Sequence, residues 1–121
     1  MTHPQALPHV EKAIVPVAKL KDYALNPDHD DGGSDKARVF SAVFGFTRDH
    51  ADELARQILL ALPWTPAIER PADQFGRRFQ VDVSVTGPRG SGTVRTGWII
   101  RTGTVIPSLT SAYAWASKGT T

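Results

Sequence analysis

The 121-residue chain has no cysteine. That excludes disulfides, thiolate metal sites and cysteine nucleophiles, and it leaves the redox compartment open because absence fits both. No run of 18 apolar residues exists, and the N-terminus lacks an apolar core of signal-peptide type. The expectation is a soluble, cytoplasmic chain with no membrane partner and no cleaved signal. Glycine-rich phosphate loops, a Ser-His-Asp set, paired histidines at metal spacing and paired catalytic glutamates are absent or unconvincing, so no cofactor is expected. Acidic residues are scarce in one half only. Between Arg77 and Lys118 six basic residues face a single acid, Asp82, whereas the whole chain carries only +2. Such polarity suits an anionic partner, nucleic acid included, although a solvated sheet face does the same.

What is present reads as one domain over residues 1–121, with an ordered core at about 10–116 and flexible ends at 1–8 and 117–121. A chain of this size buries roughly two thirds of its unfolded surface and folds without staples. Ala13-Ile14-Val15-Pro16 is a short β-prone run that fits an edge strand or an extended packing segment. Val17 to Leu25 has helical spacing and is stopped by Asn26-Pro27. A polar loop over 26–34 runs into a helix starting near Asp35. There Val39, Phe40, Val43 and Phe44 form an apolar stripe topped by Lys36. The loop's Asp28, His29, Asp30 and Asp31 invite a metal, but no acid stands at the twelfth position of a calcium loop, and no metal is expected. Gly45 suits the left-handed residue after a helix, and Thr47 caps a second helix from Arg48 to about Leu62, with His50 and Arg56 on its solvated side.

Residues 63–76, with prolines at 63, 66 and 71, read as a long connection with a short extended piece at Ala67-Ile68. From Arg77 the period becomes two, with Phe79, Val81, Val83 and Val85 on one face, and a Gly-Pro-Arg-Gly-Ser-Gly hairpin follows. Thr93 to Arg101 and residues 105–115 complete the pattern. On simple alternation Leu109, Ser111, Tyr113 and Trp115 share one side and Thr110, Ala112 and Ala114 the other. Helices first and an antiparallel meander after them spell α+β, with N-terminal helices packed on one face of a three- to four-stranded antiparallel sheet. Thr96, among Val94, Trp98 and Ile100, and Ser111 and Tyr113 are polar groups at positions expected to face the core. Such groups either satisfy each other or line a cleft.

Asn26-Pro27-Asp28-His29, Gly32-Gly33, Asp35-Lys36-Ala37, Phe40, Gly45-Phe46, Val94-Arg95-Thr96-Gly97-Trp98-Ile99 and Leu109-Thr110-Ser111-Ala112-Tyr113 occur in that order. Over residues 10–115 this set resembles an uncharacterised bacterial domain family found as stand-alone proteins and as C-terminal modules of polymorphic toxins. The layout also resembles the barnase, EndoU, colicin and RelE-like group of metal-independent ribonucleases. That resemblance implies attack of a ribose 2′-hydroxyl on the adjacent phosphate, leaving a 2′,3′-cyclic phosphate. It makes His29 the acid/base, with Tyr113 or Lys36 carrying the second proton. Lys36 and Arg95 would stabilise the phosphate, Ser111 and Tyr113 would orient phosphate or base, and Thr96 would add a hydrogen bond. Implied partners are RNA and a neutralising immunity protein, with delivery out of the cell if the chain belongs to a larger toxin. The alternative is a non-catalytic binding module that recognises nucleic acid or protein through the basic sheet.

Overall fold

A computed structural model describes residues 2–26 and 33–115. Its fold is α+β, an open four-stranded antiparallel sheet with the helices packed against it. The first helix, α1 (Val17–Lys19), continues as a wider π turn over Leu20–Ala24. Helix α2 spans Gly33–Phe44, beginning two residues before Asp35, and Gly45 ends it with φ +75°. Helix α3 (Ala51–Ala61) follows a 3-10 turn at Arg48–His50 capped by Thr47. The strands are β1 (Ile68–Asp73), β2 (Gly76–Thr86), β3 (Ser91–Arg101) and β4 (Pro107–Trp115), in that spatial order.

Periodicity explains the core. Val81, Val83 and Val85 of β2 and Val94 and Trp98 of β3 are buried on the helix side, where they meet Phe40 and Phe44 of α2 and Leu54 and Ile58 of α3. Each such side chain contributes about 1.5–3 kcal/mol when fully buried. The rings of Phe40 and Phe44 lie 6.0 Å apart, and those of Phe44 and Phe46 5.3 Å.

Four local expectations are corrected. Within the end expected to be flexible, Leu7 is buried in the core, and the Ala67 N–H donates to the Gln5 carbonyl at 2.8 Å. The connection 63–76 contains the edge strand β1, whose pairing with β2 becomes irregular between Arg70 and Asp73, around Pro71. An edge strand exposed along its whole length needs no alternation and tolerates proline, so it leaves little periodic signal. His50 is not simply solvated. Its Nδ1 accepts the Thr47 N–H at 2.9 Å, and its ring stands 5.4 Å from Phe46. Arg56 stays exposed, but it forks onto Glu53 at 2.9 and 2.6 Å.

The fourth correction concerns β4. Trp98 pairs with Leu109 and Gly97 pairs with Ser111, which leaves Thr110 with no residue opposite. This bulge resets the alternation. Leu109, Ala112 and Ala114 face the core, and Ser111 and Tyr113 turn to the opposite face.

Candidate functional site

Beyond the bulge, the outer face of β4 continues a polar row across the sheet. Asp82, Arg95 and Tyr113 are in register on β2, β3 and β4. Arg95 forks onto Asp82 with Nε and Nη2 at 2.9 and 3.0 Å, and it also hydrogen-bonds the Tyr113 side chain. The Asp82 bond first, and the Tyr113 bond second, raise the already high pKa of Arg95, so its charge is fixed. The row ends at α2, where Lys36 Nζ lies 5.7 Å from the Tyr113 ring centroid. An ammonium at that range is attracted by the ring's negative face.

Lys36 also stands at the wall of a cleft of about 380 Å³ formed by α1, α2 and β4. Lys19 of α1 lines it, as do the bulge residue Thr110 and its neighbour Ser111, and among the described residues no carboxylate does. Two lysines and two hydroxyl residues therefore line one small volume. Gly97 makes room for the hydroxyls, because a Cβ there would stand 2.6 Å from Ser111 Oγ and 3.2 Å from Thr110 Oγ1. The start of the β4 edge is covered differently. Ile14 donates to the Pro107 carbonyl at 2.9 Å and accepts from the Leu109 N–H at 3.0 Å, so 13–16 is indeed an extended segment packed on an edge. Above it, a second recess of about 290 Å³ lies between Lys36, Val39, Tyr113 and Ala114.

The structure thus gathers Lys36, Tyr113, Ser111 and Arg95 on neighbouring positions. Thr96 faces the other way. It is fully buried, donates to the Val81 carbonyl at 2.6 Å and accepts from Trp98 Nε1 at 2.7 Å, so its hydroxyl is used in the core. His29 lies outside the described residues, together with the rest of 27–32. Lys19 and Thr110 are additions. In the sequence Lys19 is one more helix-surface lysine, and the importance of Thr110 arises only from the pairing register.

The basic character of the sheet is smaller than the charge count suggests. Arg77 pairs with Glu69 at 3.0 Å, Arg78 with Asp73 at 3.0 Å and Arg95 with Asp82 at 2.9 Å. Two of these acids come from β1, just before the counted segment. Arg77 also lies over the Phe79 ring, 5.0 Å from its centroid, on the helix side.

No curated protein and no solved structure matches the chain. A family model matches residues 6–116, and the chain belongs to that family, a domain of unknown function designated DUF6883.

Proposed function

We propose that this domain cleaves RNA without a metal, at the cleft between Lys36 and the bulged strand β4. The observation that carries the reading is the convergence of Lys19, Lys36, Thr110 and Ser111 on one small volume, with Tyr113 held beside Lys36. Phosphoryl chemistry asks chiefly for positive charge and hydrogen bonds where the phosphorane oxygens gather charge, and for groups that move two protons. In this reading the ribose 2′-oxygen loses its proton and bonds to the adjacent phosphorus. The 5′-oxygen then leaves with a proton, giving a 2′,3′-cyclic phosphate and a 5′-hydroxyl end. Lys36 and Lys19 stabilise the phosphorane oxygens, and Ser111 donates a hydrogen bond. His29 exchanges one proton and Tyr113 or Lys36 the other. Arg95, with two of its donors already committed to Asp82, acts through Tyr113 by fixing the phenol in place.

The toxin-type role and a neutralising partner protein belong to the same reading. Recognition without catalysis through the basic sheet has less support, because three of the sheet's arginines are already paired with carboxylates. The test is incubation of the purified protein with total RNA and tRNA in EDTA, beside a His29→Ala/Lys36→Ala double variant. Cleavage that survives EDTA and is lost in the double variant supports the reading. An inactive wild type at high concentration across several RNAs, or an equally active variant, overturns it.

A further inference from the structure

At the end of the sheet where β1 turns into β2 and β3 into β4, a recess of about 430 Å³ opens beside residues that break local rules. A two-residue connection between antiparallel strands asks for glycine, asparagine or aspartate, yet Gln74 and Phe75 occupy this one. Asp73 Oδ1 supplies the turn's side-chain bond, accepting the Phe75 N–H at 2.9 Å. Turn geometry therefore does not require a phenylalanine, and Phe75 is 58% exposed. His9, which lines the recess, has φ 52°, in the left-handed region that a residue with a Cβ enters only at a cost. The segment carrying it is anchored on either side by the buried Leu7 and Val15. Val105 on the recess wall, with Ile106 and Ile14, adds large apolar residues that are 39 to 48% exposed. Backbone bonds tie the segments carrying these residues together. Thr102 N–H donates to the Phe75 carbonyl at 3.1 Å, and Ile14 N–H donates to the Pro107 carbonyl at 2.9 Å.

A single exposed apolar residue needs no explanation, but several brought to one end of a sheet around a recess mark a contact surface. Its charge is unbalanced. Of the charged residues lining the recess, Asp73 is held by Arg78 and Arg77 by Glu69, whereas Arg101 has no ion pair or side-chain hydrogen bond among the described residues. We propose that this end of the sheet docks an acidic protein partner, which seats an aliphatic or aromatic side chain in the recess and sets a carboxylate against Arg101. Aromatic and arginine residues are the usual anchors of protein interfaces. A nucleic acid would meet one unanswered cation among aliphatic side chains, where such interfaces are strongly positive. A second copy of this chain would bring the same cation to the contact. The surface shares no lining residue with the cleft at Lys36 and does not depend on the RNA-cleaving reading.

The test is selection from a random peptide library displayed on phage, with the wild-type protein as bait and Phe75→Ser as the counter-selecting bait. Enriched peptides are then synthesised and titrated, with amide shift mapping by NMR. They should carry Asp or Glu next to Leu, Ile, Phe or Trp, and the shifts should centre on Phe75 and on Thr102 to Val105. Phe75→Ser and, separately, Arg101→Glu should each weaken binding about tenfold or more, while both melt near wild type because the altered side chains are exposed. A peptide whose acids are exchanged for lysine should regain affinity for Arg101→Glu. The proposal is overturned if nothing is enriched, if the enriched peptides are neutral or basic, if the shifts centre elsewhere, if either variant binds like wild type, or if the charge exchange restores nothing. It is equally overturned if a single-stranded RNA oligonucleotide moves the same amides, or if the wild-type protein self-associates at a concentration where Phe75→Ser is monomeric.

Discussion

At the scale of single residues, position in the fold separates chemistry from scaffolding more sharply than residue type does. Thr96 and Ser111 are both hydroxyl residues in matched sequence blocks, yet Thr96 is locked between Val81 and Trp98 and Ser111 opens onto a cleft. Replacing Thr96 by valine keeps the shape and strips a partner from both the Val81 carbonyl and the Trp98 indole. Urea unfolding should show a loss of about 1–3 kcal/mol, the range for a buried polar group left unpaired. Glu53 makes a different prediction. Hydrogen bonds from Arg56 first, then Gln57, lower its pKa from an ordinary 4.5 to about 2. A depressed carboxylate stabilises the fold above its unfolded pKa, and that contribution fades as pH falls from about 4.5 towards 2. Glu53→Gln should therefore flatten the acid side of the stability profile, lowering the urea midpoint at about pH 5 more than that at about pH 3. The residue-level signal in the sequence covers Lys36 and Tyr113, polar groups beside apolar stripes, and the structure sets them side by side. That signal is silent on Lys19, because a solvated lysine and a cleft lysine look alike until the neighbouring strand is in place.

Secondary-structure elements were legible wherever one face is buried. The alternation in Gly76–Thr86 and the stripe of α3 follow directly from which side meets the core. Where burial does not alternate, the pattern disappears, as in β1, whose six residues are all exposed. The bulge at Thr110 was hidden for another reason. It is a property of a strand pair, set by Gly97 opposite Ser111 and Trp98 opposite Leu109, and no single strand encodes it. Its consequence is large, since a slip of one residue exchanges the two faces of a strand. Deleting Thr110 removes the residue with no partner and leaves a regular ladder in which Ser111 and Tyr113 still face outwards and Ala112 and Ala114 still face the core. Circular dichroism melts of that variant and of Thr110→Ser should therefore both stay near wild type, within about 1 kcal/mol. A deletion variant that loses more than about 3 kcal/mol or its cooperative transition would mean that the packing of β4 depends on the bulge itself.

On the scale of the whole molecule, the sheet is open and its two edges are treated differently. β1 leaves one edge exposed, while β4 is partly covered by the segment around Ile14 and then bordered by Lys19 and Lys36. Among the described residues, no helix is long and apolar enough to cross a membrane. The excess of basic residues in the second half of the chain is largely answered by acids on neighbouring strands, so the lysines at the β4 edge concentrate positive charge where the sheet face does not. A phosphodiester would be drawn to that edge, and exposed charges of this kind weaken with salt.

The most direct measurement is mass spectrometry of the ends left on one defined RNA oligonucleotide after incubation in EDTA with wild-type protein and with Lys36→Ala. The account predicts a 2′,3′-cyclic phosphate on one fragment and a 5′-hydroxyl on the other, formed about 100-fold more slowly by the variant, the usual scale for losing one preorganised charge at a reacting centre. An oligonucleotide left intact by the wild type, or cut at the same rate by the variant, would contradict it.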